Sequence, residues 1–490
     1  MKGKIEMIEK LAILYSDTYK QCHPRMYPKG LTKLVSYWTP RRSMFGENDT
    51  MIFFGLQGFL EGFLHKEFFD FFYYVSYQEL QEVFTKVLVH HGIEPTEFER
   101  VADLHRLGHL PIQIRAIPEG TAVPMGVPCI EITNTHKDFA WVVQWIECIL
   151  QTELWKPCCH ATMAKKFRNL ADKYYAETSD GDPEMSMSDF GMRGMSGLDE
   201  AVKASAAWLT SFRKTSTIPA IFWIENNYKK CPEGVGIGAV STEHSVMSAN
   251  YAVDGDEIIF FRRMLTDLYP QTSFSIVSDT YDYWNVINNI IPQLKTEILN
   301  HKGTMLIRPD SGDIVSISVE TIEKLWDIFG GTTNSKGYKV LDPHIRVIYG
   351  DGCTLLAIET IWEKLKEKRF AADNIYFGVG AFSFAATITK DKGLIVHTRD
   401  TYGIAMKATF AEIDGKAIPI YKNPATDISH TKKSHFGCVA VKEIDGRLIV
   451  EDGYDHFVPD EETLLRTVYR DDFPVIREDF ETIRKRVENG

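Results

Sequence analysis

The chain has 490 residues, of which 44% are hydrophobic and 25% charged, and its formal net charge is −12. That composition belongs to a folded protein, and the length suits roughly three average domains or one large barrel with a smaller companion. The acidic balance argues against a general nucleic-acid binder, which carries a basic stripe, yet leaves room for a local basic pocket that grips a phosphorylated substrate.

The N-terminal stretch Met1-Lys2-Gly3-Lys4-Ile5-Glu6 starts basic, but Glu6 and Glu9 interrupt it. The apolar core that follows, Leu11 to Leu14 with Tyr15, is too short and too acidic for a signal peptide. Helical patterns follow over 51–63 and 68–90. The most apolar stretch, 68–77, is short, aromatic and interrupted by Asp70, so no bilayer span and no membrane partner are expected. Two Pro/Gly-punctuated runs, 109–120 and 129–133, read as antiparallel strands, and a long helix is expected over 139–154.

From there the pattern changes to short apolar runs that end in polar, glycine-rich clusters. The clusters are Ser188-Asp189-Phe190-Gly191-Met192-Arg193-Gly194, Lys214-Thr215-Ser216-Thr217, Ser241-Thr242-Glu243-His244-Ser245, Ser278-Asp279-Thr280-Tyr281-Asp282, Arg308-Pro309-Asp310-Ser311-Gly312, Gly350-Asp351-Gly352 and Gly378-Val379-Gly380. Strand-like runs precede several of them, at 274–277, 305–307, 345–348 and 375–377, and a helix-length segment follows most. This repetition predicts a parallel βα array closed into an irregular barrel, with chemistry at the carboxyl ends of its strands. Beyond about residue 395 two hairpins with Asp-Gly turns, 411–417 and 441–448, return the chain to β structure. The economical organisation is an α/β fold: a β-rich mixed α+β domain built from 1–150 and 396–490, with the barrel of 151–395 inserted between them.

Eight cysteines are scattered without a CxxC pair, which reads as free thiols in a reducing, cytoplasmic setting. Cys158-Cys159 beside His160 could ligate a metal, but no second cluster has matching spacing.

In their order, these clusters resemble the nicotinamide phosphoribosyltransferases, and more loosely the nicotinate and quinolinate members of the same fold group. The resemblance runs nearly end to end, from Asp17-Thr18-Tyr19-Lys20 and His23, through Phe54-Gly55-Leu56-Gln57, Gly108-His109-Leu110-Pro111-Ile112 and Pro118-Glu119-Gly120, to Tyr421-Lys422-Asn423-Pro424. It implies transfer of phosphoribosyl from phosphoribosyl pyrophosphate to nicotinamide, with nicotinate as the alternative acceptor, giving the mononucleotide and pyrophosphate. Departure of pyrophosphate leaves positive charge on the ribose carbon, and nearby carboxylates, cations and Mg²⁺ suit that charge distribution.

By the same resemblance Asp310 lies at the ribosyl centre, with Gly350 and Asp351 at the ribose, and Asp279 handles Mg²⁺ and pyrophosphate. Read alone, Asp310 is equally a helix N-cap. Arg193, Arg308 and His244 form the anion and base pocket, to which Ser275 contributes, and His244 is the residue that ATP would phosphorylate. Phe190 and Tyr19 sandwich the pyridine. Tyr19 and Asp17 come from the second subunit of a homodimer, while Gly378, Gly380, Ala381 and Lys407 hold phosphate. Three departures stand out. The consecutive glycines of the phosphate loop become Gly380-Ala381-Phe382, the arginine after that loop is matched by Arg399 only after an insertion, and Ser216 replaces the aspartate facing the carboxamide. Two rival readings are an inactive nucleotide-binding dimeric regulator on the same fold and an unrelated phosphate-binding barrel isomerase. The intact Arg193, His244, Asp279, Arg308, Asp310 and Asp351 argue against the first, and the order of the motifs against the second.

Overall fold

The computed structural model describes residues 11–229, 232–427 and 432–490. The opening Met1 to Glu6 stretch and Cys231 lie outside the described residues. The chain divides into two compact units, one of Met1–Thr162, Trp223–Lys230 and Thr398–Gly490, the other of Met163–Phe222 and Cys231–His397. The first division therefore falls at Thr162 rather than 150, and Trp223–Lys230, expected in the barrel, joins the first unit.

The shifted division follows from a helix that outruns its expected end. Instead of one helix over 139–154, the chain forms a short helix Val142–Trp145 and then Glu147–Thr178, 32 residues with Pro157 inside. Leu150, Leu154, Cys158, Ala161, Ala164, Phe167 and Ala171 are all buried at three- and four-residue spacing. That apolar stripe continues across the proline, so packing outweighs the roughly 3 kcal/mol an interior proline costs.

In the first unit a seven-stranded sheet runs in the order Lys416–Pro419, Ala405–Ile413, Leu31–Thr39, Ile130–Asn134, Ile112–Ala116, Arg466–Arg470 and Phe473–Pro474, all antiparallel. Leu31–Thr39, absent from the elements expected above, lies between a strand from the C-terminal segment and one from the N-terminal segment. It thereby joins the two ends of the chain in one sheet. Below it, Arg115 and Glu131 pair at 3.0 Å with almost no exposure. The Tyr37 hydroxyl donates to Glu131 at 2.5 Å and accepts from the Val439 amide at 2.9 Å. The Asp-Gly hairpins form as expected: Asp414 and Gly415 (φ 50° and 70°) and Asp445 and Gly446 (φ 50° and 71°) all take the positive φ of a type I′ turn.

The second unit holds seven parallel strands in the order Lys214–Thr215, Met187–Asp189, Ile375–Val379, Ile345–Tyr349, Met305–Arg308, Phe274–Val277 and Val240–Ser241. One strand precedes or opens each of the seven polar clusters. The row closes irregularly through Ile237, whose amide donates to the Arg213 carbonyl at 2.9 Å and whose carbonyl accepts from Thr215 at 3.1 Å. Along the strands, Met305, Ile307, Ile345 and Val347 are buried in the core shared with the helices Ile314–Phe329 and Leu355–Glu367. Leu306, Arg308 and Ile348 alternate to the inside. Barrels of this kind usually fill their interior with bulky side chains. Here Ser188, Ser241 and Ser275 occupy inward positions, and a cavity of about 1420 Å³ remains.

Candidate active site

Phe190, Arg193, Ser216, Ser275, Arg308, Asp310 and Gly350 all line this cavity. Each except Ser275, which lies within its strand, stands at or just beyond the carboxyl end of a barrel strand, so strand direction alone gathers them. Arg308 is the last residue of its strand. Its guanidinium donates to Ser241 Oγ at 2.6 Å and to the Thr242 carbonyl at 2.8 Å, and its Nε lies 3.5 Å from Asp310 Oδ2. Ser241 Oγ in turn lies 2.5 Å from Ser275 Oγ, which continues the polar chain across the cavity wall.

Asp279 follows the neighbouring strand and is nearly buried. Its Oδ2 accepts from the Asp310 amide at 3.0 Å and from Ser311 Oγ at 2.5 Å. His244 opens the helix His244–Asp254 with its Nε2 3.9 Å from Asp310 Oδ2 and 4.0 Å from Asp279 Oδ1, and its Nδ1 3.0 Å from Thr280 Oγ1. Burial raises the Asp310 pKa above the usual carboxylate range; Asp279 and Asp351 push the same way, while Arg308 and His244 oppose them. Among the described residues, Asp279 Oδ1, Asp310 Oδ1 and Arg308 Nε are buried without a hydrogen-bond partner. Groups of this kind are normally satisfied, and their gathering at one point marks a place built for a polar ligand.

Two glycines are fixed by close approach. A Cβ on Gly350 would sit 2.5 Å from Asp310 Oδ1, and one on Gly378 would sit 2.1 Å from the Phe190 ring. Any larger residue would displace the carboxylate in one case and the aromatic wall in the other. Asp351 is exposed beside Gly350. Gly380 caps the short helix Ala381–Ala385, and Ala381 lies so close to Gly194 that a Cβ there would meet it at 2.4 Å.

The other residues singled out from sequence belong to the first unit. Asp17 accepts from the Cys148 thiol at 3.3 Å and immediately precedes the turn Thr18–Arg25, where Tyr19 is 55% exposed. Lys407 lies on Ala405–Ile413, with its Nζ 2.6 Å from the Met406 carbonyl and 3.6 Å from Glu147, and burial lowers its pKa. Arg399 is half exposed and pairs with its neighbour Asp400 at 3.3 Å. Sequence reading passed over Ser241 and Ser311, although both lie within the quoted clusters. It also gave no role to Asp189, a fully buried carboxylate below the Phe190 turn.

An α/β barrel that gathers a guanidinium, two carboxylates and an aromatic wall at its strand ends has the groups to hold a phosphorylated ligand with a flat ring. The sequence profile of the nicotinate phosphoribosyltransferase (NAPRTase) family matches residues 185–472, more than half of the chain. The profile of the nicotinamide phosphoribosyltransferase N-terminal domain matches residues 11–114. The chain belongs to the nicotinate phosphoribosyltransferase (NAPRTase) family. It is 35% identical over 453 residues to a nicotinamide phosphoribosyltransferase of Acinetobacter baylyi, covering 87% of each chain. A Xanthomonas campestris protein of the same name is 33% identical over 423 residues, covering 85% of this chain and 84% of the relative. The fold matches nicotinate-nucleotide pyrophosphorylase from Pyrococcus furiosus (TM-score 0.58, 14% identity, 98% of this chain and 95% of that one). It also matches human nicotinic acid phosphoribosyltransferase (TM-score 0.57, 16% identity, 97% and 93%).

Proposed function

We propose that this chain is an enzyme that transfers phosphoribosyl from phosphoribosyl pyrophosphate to nicotinamide, forming nicotinamide mononucleotide and pyrophosphate for the salvage of NAD. The observation that carries the reading is the convergence of Arg308, Asp310 and Asp279, with three buried polar atoms that lack a hydrogen-bond partner, at the wall of the barrel cavity. The family and the names of its relatives at 30% identity and above agree with it.

In the reaction the ribose C1′–O bond breaks and its electron pair leaves with pyrophosphate. The pyridine nitrogen supplies the pair for the new C1′–N bond, so no proton need move. Positive charge builds on C1′ between the two events. The Asp310 carboxylate supplies the compensating negative charge, and Arg308, held by Ser241 and the Thr242 carbonyl, presents its guanidinium to phosphate oxygens. Phe190 gives the pyridine a flat face, and Ser216 and Ser275 lie where the carboxamide would be read.

The chemistry of the site fits Mg²⁺. Asp279 and Asp310 each keep a buried oxygen free, and Mg²⁺ takes one or two carboxylates together with substrate phosphates. Those two residues would hold the ion, which would supply positive charge to offset that on departing pyrophosphate. His244, at the mouth of the same acidic pair, suits the phosphohistidine role: γ-labelled ATP should leave acid-labile label that is lost in His244→Ala, and a wild type that takes up none would remove ATP from the reading. The exposed ring of Tyr19 supports a homodimer in which Asp17 and Tyr19 serve the partner's site. Inactive Tyr19→Ala and Asp310→Ala chains should then complement when subunits exchange, and no recovery after exchange would contradict it.

Among the described residues no helix is long and apolar enough to cross a membrane. Among the described residues, seven cysteines stand outside any disulfide.

The direct test of the chemistry is Asp310→Ala. Turnover should fall by at least about a hundredfold, because the charge is needed most as the ribosyl cation forms, while the nicotinamide Kd moves by less than about threefold. Near-normal turnover in a folded variant would take Asp310 out of the mechanism.

A further inference from the structure

We infer that Asp189 is the residue that positions both walls of the base pocket, acting through Phe190 and Ser216 without touching substrate. The inference rests on the function proposed above. Asp189 ends the strand Met187–Asp189 and has no exposed surface. Its Oδ1 accepts from the Gly191 amide at 2.7 Å, which fixes the turn that swings the Phe190 ring into the cavity. Its Oδ2 accepts three hydroxyls: Ser205 at 2.5 Å, Thr215 at 2.8 Å and Thr217 at 2.9 Å. Its own carbonyl accepts from the Ser216 amide at 3.0 Å.

The consequence for Ser216 is geometric. The strand ends at Thr215 and the chain turns there, with the Thr217 amide donating to Thr215 Oγ1 at 3.0 Å. With Thr215 and Thr217 both turned inward to one carboxylate oxygen and buried, Ser216 between them is turned out, and it is exposed on the cavity wall. The same carboxylate therefore sets the aromatic face and the hydroxyl that read the base. The phosphate side is held separately, by Arg308 on Ser241 and the Thr242 carbonyl and by Asp279 on Asp310 and Ser311. A buried carboxylate with four donors is a charge-assisted network, and asparagine at this point offers a single acceptor oxygen to the same four.

The experiment is steady-state kinetics of Asp189→Asn with each substrate varied in turn. The KM for nicotinamide should rise roughly ten- to thirtyfold, the scale of losing one buried charge-assisted hydrogen bond, with the KM for phosphoribosyl pyrophosphate within about twofold. Thr217→Val, which keeps the shape and removes one donor, should move the nicotinamide KM several-fold in the same direction, and it carries the test if the asparagine variant does not fold. A purely structural carboxylate would raise both KM values together, and no change in either would be equally fatal; both results overturn the inference. A wild type that forms no mononucleotide at all contradicts the function instead, so the two failures are told apart.

Discussion

By the resemblance drawn from its sequence clusters, Ser216 stands where nicotinamide phosphoribosyltransferases carry an aspartate, and such an exchange acts on charge. A carboxylate facing the substrate accepts from a carboxamide NH₂ and repels the carboxylate of nicotinate, whereas a hydroxyl donates or accepts with little preference. Like charges brought together in a partly desolvated site cost several-fold more than a neutral contact. The wild type should therefore favour nicotinamide over nicotinate by no more than about tenfold in kcat/KM, and Ser216→Asp should widen that ratio at least about tenfold. Strong rejection of nicotinate by the wild type would assign selectivity to another residue. At this scale the polar clusters were legible because each follows a strand and carries residue types that bind phosphate. The orientation of Ser216 was not legible, since it depends on Thr215 and Thr217 sharing one oxygen of Asp189, a contact made by folding.

Among the elements, the strands of the barrel were readable from short apolar runs cut by glycine and charge. Leu31–Thr39 escaped because its last six residues are all buried, leaving no alternation to mark a half-exposed strand. It is also the strand on which the first unit depends, since Tyr37 ties Glu131 to the Val439 amide of the C-terminal hairpin. Tyr37→Phe removes one donor from a buried carboxylate and the acceptor of a buried amide. It should destabilise the protein by about 1–3 kcal/mol in urea or thermal unfolding, with an unchanged barrel site. A loss below about 0.5 kcal/mol would show that the hydroxyl adds nothing to the joint. The helix Glu147–Thr178 misled in the opposite sense. Local chemistry reads Pro157 as a stop, and the buried stripe on either side of it overrides that signal.

For the whole molecule, the polar clusters converge because parallel strands all point their carboxyl ends the same way, and a cavity exists because three inward positions are serine. The cavity was not foreseeable from the motifs, which name the rim and say nothing of the volume behind it. The central claim is that this site joins phosphoribosyl to nicotinamide. The measurement that tests it most directly is the simultaneous quantification of nicotinamide mononucleotide and pyrophosphate after purified protein is mixed with nicotinamide, phosphoribosyl pyrophosphate and Mg²⁺. The account predicts that the two products appear in equal amounts and that omitting nicotinamide stops both. Pyrophosphate released without mononucleotide, or no product from a folded protein with or without ATP, would contradict it.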